Sequence, residues 1–270
     1  MCGIVGQLEP QGGIDHLTFD RMRDTLAHRG PDDWGSYFDD TGTVALGHRR
    51  LAFLDLSEAG RQPMSTEDQR FWITFNGEIY NYLELKETLE DSGHRFRTGT
   101  DTEVILAGFQ RWGIGVLHRL KGMFAFGLYD RRTGELLLVR DRFGIKPLYY
   151  HDDGQRLLFA SELKAILASG RVARELDKSS VWDYFAYRYV PSPKTIWKGI
   201  NKLPPAHYLL RRRDGSSELR EYWRIPLEAD CRPPRRGSGH SRRSDAVGIG
   251  ATARSQRRSR GIIPERGLRL

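Results

Sequence analysis

The chain has 270 residues, 39% of them hydrophobic, enough for one large domain or two small ones with a buried core. No apolar run approaches the roughly 20 residues that a bilayer span needs, and the first residues lack a basic stretch followed by a long apolar one, so neither a membrane span nor a secretory signal is expected. The net charge of +8 is concentrated in residues 231–270, which hold eleven arginines, no lysine and two acids; the remainder is near neutral, and nothing in its charge calls for nucleic acid. The only cysteines, Cys2 and Cys231, argue against a disulfide framework and for a reducing compartment, most simply the cytoplasm.

In chain order, Gly3-Ile4-Val5-Gly6 reads as a short buried strand. Residues 17–26 have amphipathic helical spacing and run into the turn signal Gly30-Pro31-Asp32. Residues 44–55 read as a strand followed by an extended segment. Residues 71–75, aromatic and β-branched, form another strand that is expected to stop at the turn dipeptide Asn76-Gly77. Residues 82–92 are helical with Gly93 as C-cap, and Thr102 is expected to cap a second helix with Val104, Ile105, Gly108, Phe109 and Trp112 on one face. Residues 123–130 and 135–140 form a hairpin, and residues 148–150 and 157–160 a second. Helices follow at residues 162–169 and 178–187, the latter capped by Asp177, and residues 207–212 and 218–222 make a last hairpin around Asp214-Gly215. Hairpins with paired helices point to an antiparallel α+β layered domain.

The chemistry centres on the first residues. Removal of Met1 would leave Cys2 with both a thiol and a free α-amine, a nucleophile and its base in one residue. A thiol of pKa about 8.5 is mostly protonated at neutral pH, and an α-amine of pKa roughly 7.7–8.0 can take its proton directly or through one water. Attack by a thiolate on a carboxamide needs an oxyanion hole, which the Asn76 amide and the Gly77 backbone N–H could supply. Recognition of a free α-amino acid needs a guanidinium for its carboxylate and acids for its ammonium, for which Arg50 and Asp101 are candidates. Singly these residues have ordinary alternatives: a turn at Asn76-Gly77, a surface ion pair for Arg50, an acid preceding a helix for Asp101.

Several segments together carry a resemblance. Met1-Cys2-Gly3-Ile4, His28-Arg29-Gly30-Pro31-Asp32, Leu46-Gly47-His48-Arg49-Arg50-Leu51, Asn76-Gly77-Glu78-Ile79-Tyr80-Asn81 and Gly99-Thr100-Asp101-Thr102-Glu103 are similar to the glutaminase domain of glutamine-hydrolysing asparagine synthetases. So are Gly122-Met123-Phe124-Ala125-Phe126, Arg140-Asp141-Arg142-Phe143-Gly144-Ile145-Lys146-Pro147-Leu148-Tyr149-Tyr150 and Ser161-Glu162-Leu163-Lys164-Ala165. The resemblance implies a four-layer αββα N-terminal-nucleophile hydrolase sandwich over residues 2–228. It implies Cys2 as nucleophile with its freed amine as base, and Asn76 and Gly77 as the oxyanion hole. It places Arg50 on the glutamine carboxylate, the backbone of residues 51–54, including Leu51, Phe53 and Leu54, along the pocket, and Glu78 and Asp101 near the substrate amine. L-glutamine would be split to glutamate and ammonia through a γ-glutamyl thioester, with no metal and no cofactor in this half.

In that family a synthetase domain consumes the ammonia and adenylates aspartate with ATP and Mg, and it opens with a Ser-Gly-Gly-x-Asp-Ser loop that this sequence lacks. Such glutaminase domains often occur in homodimers. Residues 229–270 are read as a disordered arginine-rich tail, too poor in apolar residues to offset the entropy of ordering. The abrupt composition change at Cys231 points to out-of-frame reading of a GC-rich gene; a basic tail that binds nucleic acid or an acidic partner is the other reading. Beside the glutaminase reading stands a second, in which a domain stripped of its synthetase partner is an inactive truncated fragment or an interaction module with a basic nucleic-acid-binding tail.

Overall fold

The computed structural model describes residues 1–52 and 60–226, and a compact unit spans Met1–Ile225. The expected extended segment beyond Ala52 and the tail at residues 229–270 lie outside the described residues. Two six-stranded antiparallel sheets make the body. The first is built from β1 (Gly3–Leu8), β2 (Asp33–Phe38), β3 (Val44–Arg50), β8 (Tyr149–Asp152), β9 (Leu157–Ala160) and β10 (Asn201–Lys202), in the order β10-β8-β9-β1-β3-β2. The second holds β4 (Met64–Ser65), β5 (Phe71–Ile79), β6 (Gly122–Asp130), β7 (Glu135–Arg140), β11 (His207–Arg211) and β12 (Ser217–Glu221), in the order β12-β11-β7-β6-β5-β4.

Side-chain alternation explains the layering. In β6, Phe124, Phe126 and Leu128 face a core shared with helices α2 (Tyr82–Asp91) and α3 (Asp101–Trp112) and with the one-turn helix α4 (Val116–Arg119). Ala125 and Tyr129, one step out of phase, join Ile4, Leu8, Leu46 and Phe159 between the sheets. On the far side, Val5, Ala45, Leu158 and Ala160 pack against α1 (His16–Asp24) and α5 (Leu163–Ala168). Both faces of the central strands are therefore buried, and the expected αββα sandwich is what these three cores build. Helix α6 (Lys178–Tyr187) is capped by Asp177, as expected.

Two local expectations are corrected, and three strands were not expected. The strand at residue 71 does not stop at Asn76-Gly77: β5 continues to Ile79, with Asn76 opposite Ala125 and Gly77 opposite Phe124. A Cβ at Gly77 would lie 2.4 Å from the Met123 carbonyl oxygen, so glycine serves here to let β6 approach, not to turn the chain. The cap of α3 is Thr100, whose hydroxyl accepts from the Glu103 N–H, and Thr102 lies inside the helix. Strands β2, β4 and β10 carry no pattern that the sequence reading recognised.

The Phe159 ring fills the space above two glycines, and a Cβ at Gly127 would meet that ring at 2.4 Å. Phe159→Ala should cost about 3–5 kcal/mol in urea denaturation. Gly127→Ala should be markedly destabilising alone and much less so in the Phe159→Ala background, because the pair shares one volume.

Candidate active site

Cys2 precedes β1, a strand flanked on both sides within its sheet, and its backbone is held from two directions. Arg29 Nε donates to the Cys2 carbonyl at 3.0 Å while another Arg29 nitrogen pairs with Glu162 at 3.0 Å. Two residues on, the Ile4 N–H donates to the Ser161 hydroxyl, and the Ser161 N–H donates to the Ile4 carbonyl. The nucleophile candidate is thus tied to the loop after α1 and to the end of β9.

A cavity of about 280 Å³ opens beside it, lined by Cys2, Arg50 and Leu51 from the first sheet and its continuation, by Asn76, Gly77 and Glu78 from β5, and by Asp101 at the start of α3. All of the described sequence-derived candidates therefore meet in one place. Phe53 and Leu54 lie outside the described residues. The sequence reading assigned no role to Gln62, His48 or Lys146, which also line the cavity. Gln62 has no motif signal; its side chain accepts from the Phe75 N–H at 2.7 Å and donates to the Thr102 hydroxyl at 3.3 Å. His48 and Lys146 sit within segments that carry the resemblance.

Three groups in this cavity are held in unusual states. Asn76 is 1% exposed, and its Nδ2 donor has no hydrogen-bond partner. A buried amide donor without a partner costs about 1–3 kcal/mol, so an acceptor arriving in the cavity regains that energy. Burial raises the Cys2 thiol above its ordinary pKa, opposed by the Leu51 backbone, the N-terminal ammonium, Arg50 and Lys146. Its Sγ donates to the Leu51 carbonyl at 3.7 Å. Burial also pushes Asp101 up to about 6, with the neighbouring Glu78 charge acting in the same direction and a hydrogen bond from the Ile79 N–H, at 2.9 Å, opposing it.

A second cavity, about 330 Å³, opens at the other end of β1 between Leu8, Asp39, Tyr129 and Arg131. Its acids are occupied: Asp39 accepts from the Thr43 and Val44 N–H groups, and Asp40 pairs with Arg131. No cysteine, serine, histidine or lysine lines it. Among the described residues no cluster of three or more His, Cys, Asp or Glu side chains could hold a metal ion, and no helix is long and apolar enough to cross a membrane.

A carboxyl whose native pKa is raised contributes most to folding while protonated, below its ordinary value of 3.8, and loses that contribution as pH rises through about 6. Asp101→Asn removes this loss. In urea denaturation the variant should gain on the unsubstituted protein by up to roughly 3 kcal/mol between about pH 4 and about pH 7.

The sequence model of the glutamine amidotransferase domain family matches residues 1–223. The glutamine-hydrolysing asparagine synthetases 1 and 3 of Bacillus subtilis (strain 168) are 38% identical over 228 residues and 39% identical over 236 residues. These matches cover 83% and 84% of this chain but 35% and 37% of the relatives, so the chain spans about a third of their length. The amidase chry2 of Gibberella zeae is 38% identical over 200 residues, covering 74% of this chain and 29% of that protein. The solved structure of glutamine phosphoribosylpyrophosphate amidotransferase from B. subtilis, complexed with ADP and GMP, shares the fold with a TM-score of 0.63 at 21% identity, covering 82% of this chain and 49% of that one. A match that runs through both sheets and every described segment bordering the Cys2 cavity makes the chain a member of the glutamine amidotransferase domain family.

Proposed function

We propose that this site hydrolyses L-glutamine to glutamate and ammonia through a γ-glutamyl thioester on Cys2. The observation that carries the reading is the partnerless Asn76 Nδ2, a buried donor on the same cavity as a thiol at the chain's second position. Once Met1 is removed, the freed α-amine of Cys2 takes the Sγ proton, and the sulfur attacks the side-chain amide carbon of glutamine. The developing oxyanion accepts from Asn76 Nδ2 and the Gly77 N–H. The ammonium formed on Cys2 returns its proton to the departing nitrogen, which leaves as ammonia. Water, deprotonated by the same amine, then opens the thioester and frees glutamate.

Arg50 binds the substrate carboxylate, and Glu78 and Asp101 face its ammonium, with Leu51 and the residues that follow it forming the wall. Hydrolysis in this scheme uses protein groups alone. The names of the Bacillus relatives support a wider role, in which ammonia feeds ATP- and Mg-dependent asparagine synthesis from aspartate in a synthetase domain or subunit.

Intact mass should show loss of Met1, and a diazo-ketone glutamine analogue should add once, at Cys2, in a protein that releases glutamate from glutamine. Cys2→Ala should abolish turnover. Asn76→Ala should lower kcat about 100- to 1,000-fold with little change in KM, the signature of a donor that acts on the transition state. A retained Met1 or an unreactive Cys2 overturns the reading.

A further inference from the structure

Lys146 is 6% exposed and lines the cavity that holds Cys2 and Asn76. Its backbone is fixed: the N–H donates to Asp141 at 2.9 Å, and the carbonyl accepts from Arg140 Nε at 2.8 Å. Asp141, fully buried, also accepts from the N–H groups of Phe124, Phe143 and Ile145, so the acid nearest in sequence is engaged by four backbone amides. Among the described residues Lys146 Nζ has neither a hydrogen bond nor a carboxylate within ion-pair distance. An ammonium withdrawn from water and left without an anion is costly, and it becomes favourable when an anion forms beside it.

The charged groups facing this point are few. Arg29 is committed to Glu162 and to the Cys2 carbonyl, and Arg50 is assigned to the substrate carboxylate. The N-terminal amine must be uncharged to act as a base and becomes an ammonium only on taking the sulfur's proton. Of the acids, Glu78 and Asp101 stand on the β5 and α3 side, and Asp141 is satisfied by amides. His48 is held neutral by burial. The group whose charge can appear without a partner already in place is the Cys2 sulfur.

We infer that Lys146 supplies a positive charge that stabilises the Cys2 thiolate, so that deprotonation of the sulfur does not depend on the α-amine alone. The electrostatics agree: burial lowers the Lys146 pKa and the Cys2 sulfur is the strongest influence opposing it, while Lys146 is among the groups opposing the rise at Cys2. No bond is made or broken by the lysine; the proton still goes to the amine, and the charge left on sulfur is what the ammonium offsets. This role rests on Cys2 as the nucleophile, and its test does not require turnover.

The measurement is the rate of iodoacetamide alkylation against pH, on full-length mature protein in which Cys231→Ser leaves Cys2 as the reporting thiol. Lys146→Met and Lys146→Gln remove the charge at similar length, and Lys146→Arg keeps it. The neutral variants should move the midpoint of the profile up by about one pH unit or more, slowing alkylation near neutral pH roughly tenfold, and Lys146→Arg should restore most of that shift. An unchanged midpoint in the neutral variants, or an equal shift in Lys146→Arg, overturns the inference. Glutamine turnover with a Lys146-independent midpoint would sink this role and leave the proposed reaction standing; a Lys146-dependent midpoint without turnover would do the reverse.

Discussion

Two buried hydrogen bonds across the sandwich decide whether a site can exist here at all. His48 Nε2 on β3 donates to the Phe75 carbonyl on β5 at 3.1 Å, and the Thr74 hydroxyl donates back to the Gly47 carbonyl at 2.9 Å. Cys2 belongs to one sheet and Asn76 to the other, and these two bonds hold the strands that carry their neighbours in register. Burial drives His48 down to about 4, so near neutral pH the ring is uncharged and Nε2 carries the proton that the bond requires. A protonated ring would place an unpaired charge between two apolar cores.

Around that seam the protein keeps several groups in states that cost stability. Among the described residues, Asn76 has a donor without an acceptor, Asp101 a carboxyl raised by burial, Cys2 a thiol raised by burial and Lys146 an ammonium without a carboxylate. They face one cavity of about 280 Å³, which is where a substrate with a carboxamide, a carboxylate and an ammonium could relieve them together. Outside the cavity, buried charges are held by several partners, although the Arg211 Nε finds none. Asp141 receives four amides, and Arg211, 1% exposed, meets Asp152, Ser217 and the Gly154 carbonyl. Four such groups on one cavity, each of which a ligand's complementary group would relieve, fit a site prepared for a ligand.

Much of the fold was legible because its signals are local. The β6–β7 hairpin follows from two apolar runs around Arg131-Arg132-Thr133-Gly134, and α6 from Asp177 preceding a helical pattern. Reading failed where a local signal met a stronger distant partner. Asn76-Gly77 has turn chemistry, but nine paired positions with β6 keep it extended. The cap of α3 falls on Thr100 rather than Thr102, which leaves Asp101 at the first helical position with its carboxylate on the Ile79 N–H. Strands of two residues, such as β4 and β10, exist only through pairing with a neighbour already in place.

The sequence by itself determined the kinds of chemistry available and the strands and helices that carry them: a thiol one residue from the N-terminus, an Asn-Gly pair, an arginine and two acids, each next to an element with a recognisable period. Those depend on residues adjacent in the chain, where side-chain spacing and capping act over one or two turns. Only the tertiary structure decided that Asn76 lies buried without a partner, that Asp101 is raised by burial, and that Lys146 lines the same cavity as Cys2. Burial and charge are set by what packs around a group, and here every decisive neighbour comes from a segment distant in sequence.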